Sequence, residues 1–393
     1  MGIFLFFLFN VIYVNENYAI ILQVNLRKIM KYISFLIKPA SSLCNLRCRY
    51  CFYYDVANNR EIKSHNIMQE DTIQALVDKA LDLSDDAQIT FAFQGGEPTV
   101  AGIEYFRYFI SYVDLHKTNQ TICYAIQTNA TLIDEKWCEL FKEYNFLVGV
   151  SLDGFQDLHD YFRKDINLEG TYNKVMNNIK LLEKYKIDFN ILTVLTSKTA
   201  KYPKELFHFY LDNKFKYIQL IPCLPGLKEN ENLNSLKPHE FSAFYKIFFD
   251  EWLKELKKGN YISVNLFDNL IQLLKGIRPS QCGILGYCLM QFVVEANGDV
   301  YPCDFYVLDE YLSGNIKNNT LVDLLKSKNT QKFLNEPRRE CKECTGCKFI
   351  KICYKNCKRL NITYFDDDYC GYKDFLEYAC RDLQIIASYF RNK

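Results

Sequence analysis

Three cysteines lie close together near residue 50 in the spacing C-x3-C-x2-C: Cys44, Cys48 and Cys51. Closely spaced thiolates of this kind can hold three corners of a cubane [4Fe–4S] cluster. A cluster that only carries electrons usually has four cysteine ligands, so a set of three leaves one iron open. An open metal position can bind and activate a substrate or cofactor, as in catalytic metal sites. Half of a zinc site, or disulfide pairing with other cysteines, is the alternative interpretation.

Regular elements must position this loop, and the sequence predicts six strand–helix units. Apolar segments of strand length alternate with segments of helical spacing, which predicts parallel strands with right-handed crossovers. Six units make an incomplete barrel, in which chemistry lies in the loops after the strands' C-terminal ends. Strands are predicted at 33–39, 88–93, 121–127, 146–152, 189–195 and 217–221, and helices at 70–84, 103–116, 134–144, 172–185, 204–213 and 238–257.

Unusual motifs follow these predicted strands. The cysteine loop follows the first strand, and the other motifs follow later strands. All of them are therefore expected at the C-terminal ends of the parallel strands. Glycine allows backbone to approach a ligand closely, and the Gln, Thr and Asn side chains suit the hydroxyls of a ribose. The motifs are Gly95-Gly96-Glu97-Pro98, Gln127-Thr128-Asn129, Ser151-Leu152-Asp153-Gly154 and Pro222-Cys223-Leu224.

Composition indicates a globular metalloprotein. The chain has 393 residues, of which 49% are hydrophobic, and its net charge of +1 gives no basic footprint for nucleic acid. Sixteen cysteines without a convincing export signal favour metal or cluster ligation over disulfides. We therefore expect a cytoplasmic location with neither nucleic acid nor a membrane as partner.

The first 29 residues are predicted not to belong to the fold. Residues 3–14 are apolar, but no Lys or Arg precedes them and no cleavage site follows, as a signal peptide requires. The segment is also too short to span a bilayer. Met30 stands directly before the first strand, so translation is expected to begin there; a membrane anchor is the alternative.

Periodic alternation stops near residue 261, where cysteines become frequent. The sequence thus predicts a domain boundary between 259 and 281, dividing the chain into 30–260 and 261–393. The cysteines of the second part are Cys282, Cys288, Cys303, Cys341, Cys344, Cys347, Cys353, Cys357, Cys370 and Cys380.

The cysteine loop and the Gly-Gly-Glu-Pro motif resemble the radical S-adenosylmethionine (SAM) superfamily. The resemblance implies an α/β fold, a partial (β/α)6 TIM-like barrel, with SAM chelated by the open iron and cleaved to a 5′-deoxyadenosyl radical. It also implies that the Gly95-Gly96 backbone meets the SAM ammonium, with the charge of Glu97 nearby. The residues that it assigns to SAM are Tyr50, Gly96, Ser151, Arg163 and Leu224.

The second part is similar to SPASM domains, which hold auxiliary iron–sulfur clusters. Seven of its cysteines match their pattern, and Cys282 adds an eighth thiolate, whereas Cys341 departs from the pattern. The resemblance implies two further [4Fe–4S] clusters, three in all, and a zinc ribbon is the alternative. The implied ligands are Cys282, Cys288, Cys303 and Cys357 for the first auxiliary cluster, and Cys344, Cys347, Cys353 and Cys370 for the second.

Longer stretches resemble the anaerobic sulfatase-maturating enzymes within this group. These stretches are 36–42, 91–99, 291–295 and 301–306, and the similarity runs from about 30 to 388. The resemblance implies oxidation of a Cys or Ser in a C/S-x-P-x-R segment of a sulfatase to Cα-formylglycine. An auxiliary cluster takes the remaining electron, and reduced ferredoxin or flavodoxin supplies the first. We expect a monomer.

The proton acceptor implied by this resemblance is Asp304, which follows a ligand of the first auxiliary cluster. Tyr53 and Gln94 are expected to contact the substrate, and His159 to orient the loop that leads to Arg163. A maturase of ribosomal peptides is the alternative enzyme, although little sequence for a peptide-recognition domain precedes the barrel. A non-catalytic zinc-binding module is the alternative outside enzymes.

Overall fold

The computed structural model describes residues 31–227 and 233–389. The predicted start at Met30 and the 29-residue extension before it lie outside the described residues. Within the two described ranges, none of the helices combines the length and apolar character that a membrane crossing requires.

Six parallel strands, adjacent in chain order, form the centre of one sheet. They are β1 (Tyr32–Ile37), β2 (Gln88–Phe93), β3 (Thr121–Thr128), β4 (Leu147–Ser151), β5 (Phe189–Leu195) and β6 (Tyr217–Pro222). Shorter strands from the end of the chain extend both edges: β7 (Ser263–Val264), β8 (Val293–Val294), β9 (Asp299–Tyr301) and β10 (Gly314–Asn315). The order is β10-β9-β8-β1-β2-β3-β4-β5-β6-β7, so β10 and β7 are the edges.

The central strands are buried because helices cover their outer face. Phe35, Phe91 and Ile191 have no exposed surface, which explains the continuous apolar runs typical of parallel sheets. The early helices are α1 (Phe52–Asn58), α2 (Glu70–Leu81), α3 (Ile103–His116), α4 (Glu135–Glu143), α5 (Gln156–Phe162), α6 (Tyr172–Lys184), α7 (Pro203–Asp212) and α8 (Pro238–Lys257).

The predicted elements agree with these bounds to within a few residues, and the partial α/β barrel is confirmed. The sequence did not predict α1 and α5, which have seven residues each. Two turns of helix are too short for an apolar periodicity to be recognised.

The last third of the chain is less regular, yet it is joined to the barrel on both sides. β7 pairs with β6, and β8 pairs in parallel with β1, where Leu36 lies opposite Val293. The division into domains at residue 260 stays a prediction. The remaining helices are α9 (Asn265–Leu274), α10 (Leu321–Lys326), α11 (Lys328–Asn335), α12 (Ile350–Cys353) and α13 (Gly371–Tyr389), of which α13 packs on α8 and α9.

Candidate active site

The cysteine loop after β1 is fixed on one side by the loop after β2. The Gly96 N–H donates to the Ser41 carbonyl at 2.9 Å, and the Glu97 N–H donates to the Leu43 carbonyl at 2.8 Å. A Cβ atom on Gly96 would lie 2.1 Å from the Leu43 oxygen. Glycine is therefore required because the two loops touch. The N–H of Gly96 is used by the protein itself.

Glu97 is buried, and the protein itself satisfies its carboxylate. Its oxygens accept the Thr99 N–H at 3.0 Å, the Thr128 hydroxyl at 2.7 Å and the Asn129 N–H at 2.7 Å. The Thr99 hydroxyl also donates to this carboxylate, at 2.6 Å. Burial raises the pKa of this carboxyl group, although these four donors oppose that shift. The expectation that Glu97 supplies charge to a ligand is thus not supported by its contacts. Glu97 instead ties the loop after β2 to the loop after β3.

The loop after β3 braces the cysteine loop. The Asn129 side-chain amide donates to Asn45 at 2.9 Å, and Asn45 donates to the Thr131 hydroxyl at 2.8 Å. The side chains of Thr128 and Asn129 thus hydrogen-bond within the protein, and the expected contact of this motif with a ribose stays a prediction.

The other side of the cysteine loop is held by the segment after α5. The Arg47 N–H donates to the Lys164 carbonyl at 2.7 Å, and the Arg49 N–H donates to the Phe162 carbonyl at 3.0 Å. Cys48 therefore lies between two anchored residues. The protein's own backbone hydrogen bonds thus hold the loop on both sides of Cys48.

The three thiols of this loop have surroundings suited to cluster ligands. Burial raises the pKa of Cys44 to about 11 and that of Cys48 to about 12. Backbone N–H groups lie 3.4 Å from Sγ of Cys44 and of Cys51, and N–H···S contacts of this kind tune iron–sulfur clusters. In the described part of the chain, no group of three or more His, Cys, Asp or Glu side chains is placed to hold a single metal ion.

Two of the residues assigned to SAM by resemblance, Tyr50 and Arg163, contact Asp153, which follows β4. Arg163 Nε donates to the Asp153 carboxylate at 3.0 Å, and the Tyr50 hydroxyl donates to the same oxygen. Asp153 has no exposed surface. The sequence analysis gave it no role of its own, since only its charge beside a strand end could have indicated one.

Ser151 and Leu224 both lie at the C-terminal ends of parallel strands. Ser151 is the last residue of β4, and its side chain is buried. Leu224 comes two residues after the end of β6 and is also buried. A serine hydroxyl can both donate and accept a hydrogen bond, as a polar cofactor would require.

His159 is placed to orient the loop that leads to Arg163, as the sequence suggests. Its Nδ1 accepts the Asp153 N–H at 3.3 Å, and its Nε2 lies 3.0 Å from the Thr171 hydroxyl. The ring is fully buried, and burial lowers its pKa to about 4. A histidine that stays neutral at physiological pH supports a structural role.

Asp304, from the last third of the chain, contacts the residues that directly follow β1 and β2. Lys38 Nζ donates to its Oδ1 at 2.5 Å, and Gln94 Nε2 donates to its Oδ2 at 2.6 Å. Lys38 directly follows β1 and is fully buried, whereas the Asp304 side chain retains 13% exposure. The carboxylate is therefore oriented by two strand ends but still accessible. The sequence analysis missed Lys38, because nothing near it in the chain marks a partner 266 residues away.

Tyr53 is buried against Lys38, the partner of this carboxylate. Lys38 Nζ lies 3.9 Å from the centre of the Tyr53 ring, and the Tyr53 hydroxyl donates to Glu295. Arg60 also pairs with Glu295, at 2.8 Å. Burial raises the pKa of Tyr53 well above its usual value. These contacts do not support the expectation that Tyr53 touches the substrate, whereas Gln94 remains beside Asp304.

The structure brings the cysteines of the last third of the chain into two groups. Thiols within each group lie close enough to interact electrostatically, and burial raises the pKa of Cys282, Cys288, Cys303, Cys353 and Cys370. The first group contains Cys282, Cys288, Cys303 and Cys357. The second group contains Cys344, Cys347, Cys353 and Cys370.

Cys341 lies beside the second group. Its thiol interacts electrostatically with those of Cys344 and Cys370, and it is 3% exposed. With Cys341, the second group has five neighbouring thiols, one more than a fully ligated cubane cluster needs.

The residues present fit the implied groups. Three partly exposed thiols in one loop, two of which accept a backbone N–H, match a cluster with one open iron. The buried guanidinium of Arg163, 4.0 Å from Cys48 Sγ, suits a polar cofactor beside that cluster. Two further sets of four thiols match fully ligated clusters.

Comparison with known proteins gives a consistent relationship. Residues 39–210 match the model of the Radical SAM superfamily, and residues 287–348 match that of an iron–sulfur cluster-binding domain named SPASM. The cysteine-type anaerobic sulfatase-maturating enzyme of Clostridium novyi (strain NT) is 42% identical over 91% of this chain and 98% of its own length. A serine-type counterpart from Bacteroides thetaiotaomicron is 31% identical, over 91% of this chain and 90% of its own.

Solved structures give the same relationship. The structure described as "Native anSMEcpe with bound AdoMet and Kp18Cys peptide" aligns with a TM-score of 0.83 and 38% identity. The alignment covers 91% of this chain and 99% of that one.

Proposed function

The chain belongs to the anaerobic sulfatase-maturating enzymes of the radical SAM superfamily, and on that premise we propose that it oxidises a cysteine in a C-x-P-x-R segment of a sulfatase to Cα-formylglycine. This oxidation activates the sulfatase. The observation that carries the proposal is the meeting of a three-thiol loop with the Asp304 carboxylate, which Lys38 and Gln94 orient at adjoining strand ends. Greater identity to a cysteine-type relative than to a serine-type one supports cysteine as the target.

Each group of residues has a distinct task in this proposal. Cys44, Cys48 and Cys51 hold the cluster that binds SAM, and the two C-terminal groups hold the auxiliary clusters. Tyr50, Gly96, Ser151, Arg163 and Leu224 form the SAM site. When bound, SAM and the clusters would supply hydrogen-atom abstraction from the target Cβ and removal of one electron. Together with loss of the thiol proton, this leaves a thioaldehyde, which water converts to the aldehyde with release of hydrogen sulfide. The protein's own residues position SAM and the clusters and accept the proton.

Asp304 is the proposed proton acceptor for the target thiol. An ionised carboxylate can take the proton as the carbon is oxidised, and Lys38 and Gln94 keep both of its oxygens in place. Gly96 and Arg163 act differently, since Gly96 fixes the distance between two loops and Arg163 is oriented by Asp153. Burial of Lys38 and Tyr53 keeps water from the inner side of the carboxylate.

The proposal also covers the partners of the enzyme, its location and its domains. The substrate is a sulfatase polypeptide, and the electron donor is reduced ferredoxin or flavodoxin. The enzyme acts as a monomer in the cytoplasm. Residues 30–260 form the barrel domain and 261–393 the auxiliary-cluster domain.

The test is anaerobic incubation of the reconstituted protein with SAM, dithionite and a C-x-P-x-R peptide, followed by mass spectrometry. We expect loss of the thiol and gain of a carbonyl. The matched peptide with serine at the target position measures the preference between the two residues. A thioether cross-link in place of the carbonyl would contradict the proposal and favour a peptide maturase.

A further inference from the structure

Four cations surround the outer side of the loop that carries Cys48. Arg47 and Arg49 flank this cysteine in the chain and are exposed, and Lys164 and Lys198 are partly exposed. We call Arg47, Arg49, Lys164 and Lys198 the basic rim.

Backbone and ring contacts place the basic rim on one surface. The cysteine loop runs antiparallel to the segment after α5, with Arg47 bonded to the backbone of Lys164. Arg49 lies 4.3 Å from the centre of the Tyr161 ring, and Lys198 lies 3.6 Å from the same centre. Residues from three separate segments thus bring positive charge to one aromatic side chain and to the loop beside Cys48.

The charge of the basic rim is not neutralised by the protein. Among the described residues, no carboxylate lies within ion-pair distance of any of its four members. The nearest acidic side chain in sequence, Asp165, accepts the N–H groups of Asn167 and Glu169 instead.

The cations around the second C-terminal cysteine group differ in this respect. Most of them have a carboxylate partner, so that surface carries little net charge. The pairs are Lys342–Asp368 at 2.7 Å, Arg339–Asp367 at 3.0 Å, Lys373–Glu343 at 3.3 Å and Lys348–Glu377 at 3.4 Å. Because the chain is almost neutral overall, unpaired charge beside Cys48 is a local feature.

We propose that the basic rim is the docking surface for an acidic protein that carries single electrons, which it brings close to the thiol of Cys48. This inference rests on the proposed function, since only a cluster on the three thiols gives such a partner a purpose. Complementary charge mainly accelerates encounter and orients the partner. Fields of this kind raise association rates by about 10- to 1,000-fold and weaken with salt.

The test compares two reductants on the reconstituted holoenzyme. One is an acidic flavodoxin reduced to its hydroquinone, and the other is reduced methyl viologen, a small cation that needs no docking surface. The variant is Arg49→Glu/Lys164→Glu/Lys198→Glu. It leaves Arg47 intact because Arg47 also donates to the carbonyls of Cys44 and Leu46. The matched control, Lys142→Glu/Lys180→Glu/Lys216→Glu, makes the same charge change on exposed residues elsewhere.

Three quantities are measured for each protein: the rate of 5′-deoxyadenosine formation, the iron content, and flavodoxin binding at two salt concentrations. With flavodoxin, we expect the variant to be about 10- to 100-fold slower than wild type at low salt, to bind more weakly, and to lose most of the salt dependence. With methyl viologen, we expect the variant and wild type to be equal, with unchanged iron content. The control should match wild type throughout.

Other results would overturn the docking surface. A variant that reacts with flavodoxin as fast as wild type would show that the donor binds elsewhere. Equal slowing with both reductants would mean that the basic rim supports the cluster loop or binds the sulfatase. In contrast, wild-type protein that forms no deoxyadenosine with methyl viologen would refute the proposed function, whatever flavodoxin binding shows.

Discussion

The cysteine loop after β1 and the two C-terminal cysteine groups hold their thiols in different ways. The loop places three thiols within eight residues, and hydrogen bonds to the loops after β2 and α5 fix its backbone. The first C-terminal group collects thiols from residues 282 to 357, and the second joins Cys370 to three thiols that lie within ten residues. Helices of three or four residues carry or adjoin several of these thiols. In the cysteine loop the fold prepares the site. In the C-terminal groups, bound clusters are expected to contribute to the fold, as structural metals do in small domains.

Removing thiols from each region gives the sharpest test of this difference. Cys44→Ala/Cys48→Ala/Cys51→Ala should abolish SAM cleavage and lower iron from about twelve to about eight per chain. Because hydrogen bonds hold that loop, the thermal midpoint should change little. Cys344→Ala/Cys347→Ala/Cys353→Ala is the matched variant, and it should lower the midpoint by about 5 °C or more.

Iron analysis and anaerobic thermal unfolding monitored by circular dichroism measure both effects. Equal loss of stability in the two variants would contradict the difference between the regions. SAM cleavage that survives in the first variant would refute the assignment of the loop to the SAM-binding cluster.

Asp304 joins the two regions, so its replacement tests how they cooperate. Asp304→Asn keeps the size of the side chain and removes its basicity. Formylglycine should fall by about 10²- to 10⁴-fold, the usual range for a lost general base. Deoxyadenosine should still form, because the cysteine loop is untouched. Both products are measured in one reaction.

Asp309→Asn is the control for this change, since Asp309 is an exposed carboxylate that accepts only the Glu61 N–H. It should leave both products unchanged. A proportional loss of formylglycine and deoxyadenosine in Asp304→Asn would make Asp304 a structural partner of Lys38 instead of a base.

Gly96→Ala tests whether the fold really prepares the cysteine loop. The added methyl group would meet the Leu43 carbonyl oxygen at 2.1 Å, so the two loops must separate. A displacement near 1 Å can cost about 10²-fold in rate, and we expect that loss in SAM cleavage. Ser42→Ala in the same loop removes only a hydroxyl contact to the Lys63 carbonyl and should have little effect. Normal cleavage by Gly96→Ala would show that the loop adapts.

The smallest predicted effect concerns the pH dependence of stability on the barrel side. The pKa of His159 is about 4 in the folded protein against 6.5 normally. The unfolded chain therefore binds the proton first as pH falls below 6.5, and stability falls with it. Between pH 7.5 and 5.5 this costs about 1.4 kcal/mol.

His159→Gln should remove that part of the loss, which corresponds to about 2–4 °C in the thermal midpoint. The midpoint is measured at both pH values for wild type, His159→Gln and the control His239→Gln, whose histidine is exposed. An identical pH dependence in all three proteins would contradict the buried, neutral state of His159.

The same contrast explains what could be predicted from the sequence. The C-x3-C-x2-C loop and the strand ends are visible because their residues are contiguous and follow local periodicity. The partnership of Lys38 with Asp304 is not visible, since it depends on the pairing of β8 with β1. The contacts of Glu97 and Tyr53 do not support their expected roles for a related reason. Both carry groups suited to a ligand, but neighbouring strand ends satisfy those groups internally.

The pairing of β8 with β1 also has an evolutionary consequence. The end of β1 carries Lys38, which pairs with Asp304, and the loop after it carries Cys44, a proposed cluster ligand. β8 leads onward to Glu295, Cys303 and Asp304. A slip of one residue in the pairing of Leu36 with Val293 would turn each alternate side chain to the wrong face. The C-terminal part cannot be exchanged between lineages as an independent module unless β1 changes with it. The two parts of the chain are therefore expected to be inherited together, and a hybrid enzyme should be joined so that β1 and β8 come from the same parent.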